Sequence, residues 1–111
     1  MTPPQRPRSL RKPFVAAIVI TDMISEQQIS GRTSDLSING CFVPTQSALS
    51  PGVKLRIAVV HAGAKVVALG HVVSARGDGM SIAFDKIEQR DQEVLERWLS
   101  ELRLGKTDRK S

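Results

Sequence analysis

Residues 53–84 read VKLRIAVVHAGAKVVALGHVVSARGDGMSIAF. The stretch opens with a strict alternation, in which Lys54 and Arg56 would face water while Leu55 and Ile57 face inward. A period of two is typical of a strand with one buried face. The chain is therefore predicted to form a β-sheet in this region, and the rest of the fold can be worked out from it.

Two short turns, at 61–63 and 77–79, divide the remainder of this stretch into further strands at 65–75 and 80–84. Each turn contains glycine, and turns of this length connect antiparallel neighbours. The second half of the chain up to Phe84 is therefore predicted to be a run of antiparallel strands.

Three more strands are predicted upstream. The run FVAAIVIT at 14–21 is rich in β-branched residues, and ISGRTSDL at 29–36 alternates loosely. The third strand, 41–43, is short and is limited by Pro44. Six short strands with no helix between them are expected to form an antiparallel sheet that curls into a barrel or sandwich.

The pattern changes after Asp85. From Ile87 to Leu102 the apolar residues recur at spacings of three and four, which predicts an amphipathic helix of about sixteen residues. Trp98 lies on the apolar face and is expected to plug the barrel. The predicted fold class is mainly β: a six-stranded antiparallel β-barrel with a C-terminal amphipathic α-helix.

The length and charge of the chain define its organisation. With 111 residues, 41% of them hydrophobic, it is expected to form one domain. The formal net charge of +5 is concentrated at the ends, because residues 1–12 carry +4 and residues 103–111 carry +3, which leaves −2 in between. We predict a flexible basic arm at 1–12, a folded module at 13–103 and a disordered basic tail at 104–111.

Several functions and locations are disfavoured by the sequence. Cys41 is the only cysteine and no apolar run could span a bilayer, so we expect a cytoplasmic protein without membrane insertion. His61 and His71 have no neighbouring residues at metal-ligand spacing. No nucleophile and base pattern is found either, so we expect no metal site, no cofactor and no catalysis.

Two groups of residues are candidates for ligand binding. The arm carries Arg6, Arg8, Arg11 and Lys12, and the hexapeptide DLSING at 35–40 follows the second predicted strand. Arginine guanidinium groups bind phosphates bidentately and can stack on bases. The hexapeptide alone is also common turn chemistry, in which Asp and Ser side chains bond nearby amides.

The order of these features resembles the PilZ domain family. The resemblance rests on the arginine arm, on D-x-S-x-x-G between the second and third strands, on GMSIAF at 79–84 and on the C-terminal helix. It implies a PilZ-like barrel that binds cyclic di-GMP and passes the signal to a downstream protein. By this resemblance the binding residues are the arm, as RxxxR, together with Asp35, Ser37 and Gly40.

The arm departs from RxxxR in either possible register. Arg11 lies just before the first strand, but the position four residues earlier is Pro7. The alternative pairs Arg8 with Lys12, and a lysine does not reproduce the guanidinium fork on a phosphate or guanine edge. Both registers remain open from the sequence.

Each candidate residue would have a specific role in binding cyclic di-GMP. The arginines would bind its phosphates and guanines. The Asp35 carboxylate would accept hydrogen bonds from guanine N1 and N2, and the Ser37 hydroxyl would add a contact. Gly40 is expected to adopt a positive φ, which would let the backbone turn and approach the ligand closely.

Three functions are consistent with the sequence. The first is a cyclic di-GMP receptor whose arginine arm orders on the nucleotide. The second is a degenerate PilZ domain that works through protein contacts alone. The third is a small barrel that binds single-stranded nucleic acid, which is disfavoured because such barrels stack bases on exposed aromatic residues. This chain has no Tyr, and Phe42, Phe84 and Trp98 are predicted to be in the core, which leaves only Phe14.

Overall fold

The computed structural model of the chain describes residues 12–104. Arg6, Arg8 and Arg11 of the basic arm lie outside the described residues, as does the basic tail after its first residue. The side chain of Lys12 is also outside the description, although its backbone is within it.

The described chain contains eight strand segments and one helix. In chain order they are β1 (Lys12–Pro13), β2 (Ala17–Asp22), β3 (Gln28–Arg32), β4 (Asp35–Ser37), β5 (Gly40–Pro44), β6 (Lys54–His61), β7 (Ala64–Arg76), β8 (Gly79–Ile87) and α1 (Gln89–Leu104).

All neighbouring strands are antiparallel, in the order β1-β4-β5-β8-β7-β6-β2-β3. Only a few residues separate β1 from β2 and β3 from β4. Because β1 pairs with β4 while β2 pairs with β3, chain continuity brings the two ends of the sheet together. The sheet therefore curls on itself, and the predicted mainly-β, antiparallel, barrel-like fold with a C-terminal helix is confirmed.

Element boundaries differ from the predictions in three places. The first predicted strand begins three residues late, at Ala17 of β2, and the two-residue β1 precedes it. The second predicted strand is interrupted, which gives β3 and β4. The last strand continues past Phe84 to Ile87, because Ile87 still pairs with Ala68 of β7. Ile87 is therefore not part of the helix, which begins at Gln89 and has the predicted length of 16 residues.

The turn between β6 and β7 consists of Ala62 and Gly63, which both have positive φ, 53° and 80°. Two consecutive residues with positive φ are the pattern of a type I′ turn, whose twist matches that of the flanking strands. Glycine adopts this conformation without the steric penalty of a Cβ. The register of the β6–β7 hairpin is thus fixed by its turn.

The alternating apolar residues of the strands face one side and form the core, together with two residues of α1. Leu55, Ile57 and Val59 of β6 are buried as the alternation predicts. The core consists of Phe14, Ala16, Ile18, Ile20, Ile29, Leu36, Cys41, Val43, Leu55, Ile57, Val59, Val66, Val72, Met80, Ile82, Leu95 and Trp98.

Three rings join the start of the chain to the helix. The centroid of the Phe14 ring lies 4.6 Å from that of His61 and 6.1 Å from that of Trp98, and the His61 and Trp98 rings meet edge-on at 5.3 Å. Phe14 is therefore buried and is not the exposed aromatic that the sequence suggested. Trp98, only 4% exposed, fixes α1 against this end of the sheet.

We expect Trp98→Ala to lower the free energy of unfolding by about 3–5 kcal/mol, because it removes a buried ring and leaves a cavity between α1 and the sheet. Arg97→Ala is the matched control, since Arg97 is the exposed neighbour on the same helix and should change stability by less than about 0.5 kcal/mol. Urea unfolding monitored by circular dichroism measures both. Equal stabilities of the two variants would contradict the burial of Trp98.

The turn between β2 and β3 depends on Asp22. Its Oδ1 accepts hydrogen bonds from the amides of Ile24, at 2.8 Å, and Ser25, at 3.2 Å. These backbone hydrogen bonds, that from Ile24 first, lower the pKa of Asp22 below its ordinary value of 3.8. A carboxyl with a lowered folded-state pKa stabilises the fold above its unfolded pKa, and this contribution is lost as the pH falls through the folded pKa.

Asp22→Asn tests this contribution, because an amide oxygen can still accept from the turn amides but does not titrate. The stability advantage of the wild type over Asp22→Asn should be fully present near neutral pH and should disappear as the pH falls below about 3.8. Urea midpoints of both proteins across this range measure it. An advantage that does not change with pH would show that the ionised carboxylate is unimportant to the turn.

Candidate functional site

Asp35 is on β4, which lies between β1 and β5. It lies opposite Pro13 of β1 and opposite Phe42 of β5. Its Oδ1 accepts a hydrogen bond from the Phe42 amide at 3.1 Å. The side chain is partly exposed, so a carboxylate held in place by the backbone is presented at the protein surface.

Ser37 braces the two-residue turn between β4 and β5. Its Oγ accepts a hydrogen bond from the Asn39 amide at 3.1 Å and donates to the Gly40 carbonyl at 3.4 Å. The residue is only 3% exposed. The hydroxyl of Ser37 therefore performs the turn chemistry that the sequence allowed for the hexapeptide.

Gly40 is required for a different reason from the one expected. A positive φ was predicted, but among the described glycines only Gly52 and Gly63 have one. Instead, a Cβ on Gly40 would lie 2.0 Å from the Ile82 carbonyl oxygen of β8. The prediction was wrong because glycine is required here by the close approach of β5 to β8, and this contact joins residues that are distant in sequence.

Pro13, Asp35, Phe42 and Ser81 form a row across four adjacent strands, since each lies directly opposite the next. Directly opposite residues project from the same face of a sheet. Cys41 and Val43, on either side of Phe42, are fully buried, so this row is on the outer face. We call these four residues the outer row.

Phe42 was predicted to be in the core, and the structure corrects this. Its ring is half-buried on the outer face, where it covers Gly79: a Cβ at Gly79 would come within 2.7 Å of the ring. Alternation within Cys41-Phe42-Val43 could have revealed this, because two small inward residues leave the residue between them facing out. Phe42, whose ring lies next to Asp35 on this face, is thus a further candidate binding residue. Phe84 is partly buried against the core.

The basic arm enters the sheet beside Asp35. Lys12 lies opposite Leu36, and Pro13 lies opposite Asp35. Arg11 directly precedes Lys12 in the chain. The structure thus brings the end of the arm together with the hexapeptide strand, while the positions of Arg6, Arg8 and Arg11 lie outside the described residues.

A groove of about 340 Å³ lies at the rings of Phe14, His61 and Trp98. It is lined by Pro13, Phe14, Val15, His61, Trp98 and Glu101. Neither Asp35 nor Phe42 lines it, so the groove shares only Pro13 with the outer row.

Within residues 12–104, no cluster of three or more His, Cys, Asp or Glu side chains is suited to hold a metal ion. His71 Nδ1 instead lies 2.8 Å from Asp85 Oδ2 on neighbouring strands. In the same described part of the chain, no helix has the length and apolar character needed to cross a membrane.

Comparison with known proteins shows the family to which the chain belongs. The family model of the PilZ domain matches residues 5–101. The chain therefore belongs to the PilZ domain family, a family of cyclic di-GMP receptors that act as binding and adaptor domains. No curated protein matches the chain.

Two solved structures share the fold. The Bacillus subtilis inhibitor of motility, MotI/DgrA, is 20% identical with a TM-score of 0.77, and the match covers 94% of this chain and 54% of that one. The PilZ domain of CeSA from a cellulose-synthesising bacterium is 20% identical with a TM-score of 0.64, covering 86% and 99%. This chain thus spans about half the length of the Bacillus protein.

We expect Gly40→Ala to lower the free energy of unfolding by about 1–3 kcal/mol, because its methyl group collides with the β8 backbone and strands must separate. Gly77→Ala is the matched control, since nothing lies within 4 Å of a Cβ there. Thermal unfolding of both variants measures the difference. If the two variants unfold together, the close approach of β5 to β8 is not what requires Gly40.

Proposed function

We propose that this chain is a cyclic di-GMP receptor domain, in which the arginine arm closes over the nucleotide on the outer row. The observation that carries the proposal is the pairing of β1 with β4, which places the end of the arm opposite Leu36 and next to Asp35. Membership of a cyclic di-GMP receptor family supports it.

The chemistry of the described residues suits a guanine base. The Asp35 carboxylate is held by the Phe42 amide at Oδ1, which orients it toward the outer face without a rearrangement on binding. A carboxylate accepts from the N1 and N2 donors of guanine, and an aromatic ring beside it can stack on a base. Phe42 would supply the stacking surface.

The arm would supply the positive charge that the folded part lacks. Residues 13–102 carry a net −2, whereas Arg6, Arg8, Arg11 and Lys12 precede them without an acidic residue. Two phosphates of the ligand offer partners for two guanidinium groups. We take Arg11 as the principal arginine because it is the nearest to β1. Arg8 paired with Lys12 remains the alternative register.

Ser37 and Gly40 would act indirectly in this proposal. The buried Ser37 hydroxyl braces the β4–β5 turn, and Gly40 allows β5 to pair closely with β8. Both would therefore shape the strand that presents Asp35. The nucleotide would change the arm, and a downstream protein would detect that change. We further propose a cytoplasmic location, which the lone buried Cys41 suits.

A second candidate function is a PilZ domain that no longer binds nucleotide and works through protein contacts alone. The departure of the arm from RxxxR favours it, because Pro7 stands four residues before Arg11 and Lys12 stands four after Arg8. The two functions differ in one measurable property, the affinity for cyclic di-GMP. Binding of single-stranded nucleic acid is disfavoured by the net negative charge of residues 13–102. With Phe14 and Trp98 buried, Phe42 is the outward-facing ring left for stacking, whereas such barrels use several.

Isothermal titration of cyclic di-GMP into the wild type, Arg11→Ala, Arg8→Ala and Asp35→Asn tests the proposal. We expect binding by the wild type and a loss of about tenfold or more in Arg11→Ala, since a charge-assisted bidentate contact is removed. Asp35→Asn can keep the bond from the Phe42 amide but loses the charge, and it should weaken binding similarly. Arg90→Ala, on the exposed start of α1, is the matched arginine control.

The outcomes separate the candidates. Absence of heat from the wild type at roughly tens of micromolar protein, a concentration at which a micromolar Kd would be visible, favours the degenerate domain. Loss of binding in Arg8→Ala with none in Arg11→Ala would select the other register. An equal loss in Arg90→Ala would mean that nonspecific charge, rather than the arm, attracts the ligand.

A further inference from the structure

The segment that joins β1 to β2 is one residue longer than the segment opposite it, which joins β3 to β4. Pro13 lies opposite Asp35, but Ala17 lies opposite Arg32. Residues 14–16 therefore face only residues 33 and 34, which is the arrangement of a β-bulge. The bulge lies between β1 and β2, at the point where the arm joins the sheet.

A single buried hydroxyl closes this bulge. Thr33, only 2% exposed, donates from Oγ1 to the Phe14 carbonyl at 2.5 Å and accepts from the Ala16 amide at 3.0 Å. Two backbone bonds flank it, from the Phe14 amide to the Ser34 carbonyl at 3.1 Å and from the Thr33 amide to the Ala16 carbonyl at 2.9 Å. The side chain therefore replaces the ladder partner that the extra residue removes.

Only a hydroxyl fits this place. The group must donate to a carbonyl and accept from an amide at the same time, and among small side chains only Ser and Thr do both. Valine has the same shape but would leave Phe14 O and Ala16 N without this partner in a buried place, which is costly for backbone groups. Relief of that cost would require β1 to move.

The position of β1 decides where the arm begins. A shift of pairing by one residue reverses the faces of a strand. If β1 shifted against β4, Pro13 would no longer lie opposite Asp35, and the arm would leave the sheet from another place. The bulge thus fixes the register that places Pro13 opposite Asp35 in the outer row.

We propose that Thr33 is a positioning residue for nucleotide binding: its hydroxyl fixes β1 against β4, so that the arginine arm starts beside Asp35. This inference rests on the proposed function. Thr33 itself, being buried, does not touch the ligand. The Phe42 amide and the pairing with β5 hold Asp35 from the side away from β1, so we expect its contribution to binding to persist when β1 moves.

The test compares Thr33→Val and Thr33→Ser with Thr21→Val. Thr21 is in β2, at the end away from the arm, and its hydroxyl accepts a 3.4 Å bond from the Gln28 side chain, so it is a threonine-to-valine control at a partly exposed position. Circular dichroism establishes that each variant is folded. If Thr33→Val does not fold, Thr33→Cys takes its place, because a thiol is a weaker donor and acceptor.

We expect Thr33→Val to weaken cyclic di-GMP binding by about fivefold or more, and Thr33→Ser to retain the wild-type affinity within about twofold. Double mutants that combine Thr33→Val with a change at Arg11 or Asp35 distinguish positioning of the arm from a general loss of stability. Arg11→Ala should cost much less in the Thr33→Val background than in the wild type, whereas Asp35→Asn should cost the same in both. Equal losses from Arg11→Ala in both backgrounds would overturn the inference.

Amide hydrogen exchange provides a test without ligand. The Phe14 amide donates to Ser34, which none of these substitutions alters. Its exchange should accelerate about tenfold or more in Thr33→Val and stay unchanged in Thr33→Ser and Thr21→Val, with β5 and β8 amides as internal references. Unchanged Phe14 exchange in Thr33→Val overturns the inference. Failure of the wild type to bind cyclic di-GMP overturns the proposed function and its nucleotide role, while Phe14 exchange still decides whether Thr33 fixes β1.

Discussion

Phe14 is held by its backbone and by its ring at the same time. Its amide donates to the Ser34 carbonyl and its carbonyl accepts from the Thr33 hydroxyl, while its ring packs against those of His61 and Trp98. These backbone bonds join the segment between β1 and β2 to the segment between β3 and β4, and so they bring the two ends of the curled sheet together. The ring contacts join the same residue to β6 and α1. The end of the arm, the sheet and the helix therefore meet at one residue.

This connection gives a physical path from the arm to the helix. Pro13 lies opposite Asp35, and the next residue contacts Trp98 of α1. A packed core passes on displacements because it has few voids to absorb them. A change in the arm at the outer row would thus affect the packing of Trp98 and, through it, the position of α1. Trp98 is the only tryptophan of the chain, so its fluorescence reports on this contact alone.

Most of the fold was predictable because its signals are local. The alternation in β6, the Ala62-Gly63 turn and the spacing of the helix stripe each depend on a few adjacent residues. The bulge was not predictable, since nothing in ISGRTSDL shows that Thr33 would bond to residues of another strand. Gly40 was identified for the wrong reason, because its neighbour Ile82 is distant in sequence. Phe42 was wrongly predicted to be in the core, although the alternation of its neighbours indicated the outer face.

The two halves of the proposed site differ in how much they are prepared for a ligand. Asp35 and Phe42 are fixed in the sheet, with the Asp35 carboxylate already bonded to the Phe42 amide, so their ordering on binding costs little. The arm must be arranged around the ligand by contacts of its own, and each long arginine side chain loses rotamer freedom when it binds. Affinity should therefore vary mainly with the arm. Because Pro7 stands where a second arginine would complete the Arg11 register, the arm is where this chain would differ in affinity from relatives with a complete RxxxR.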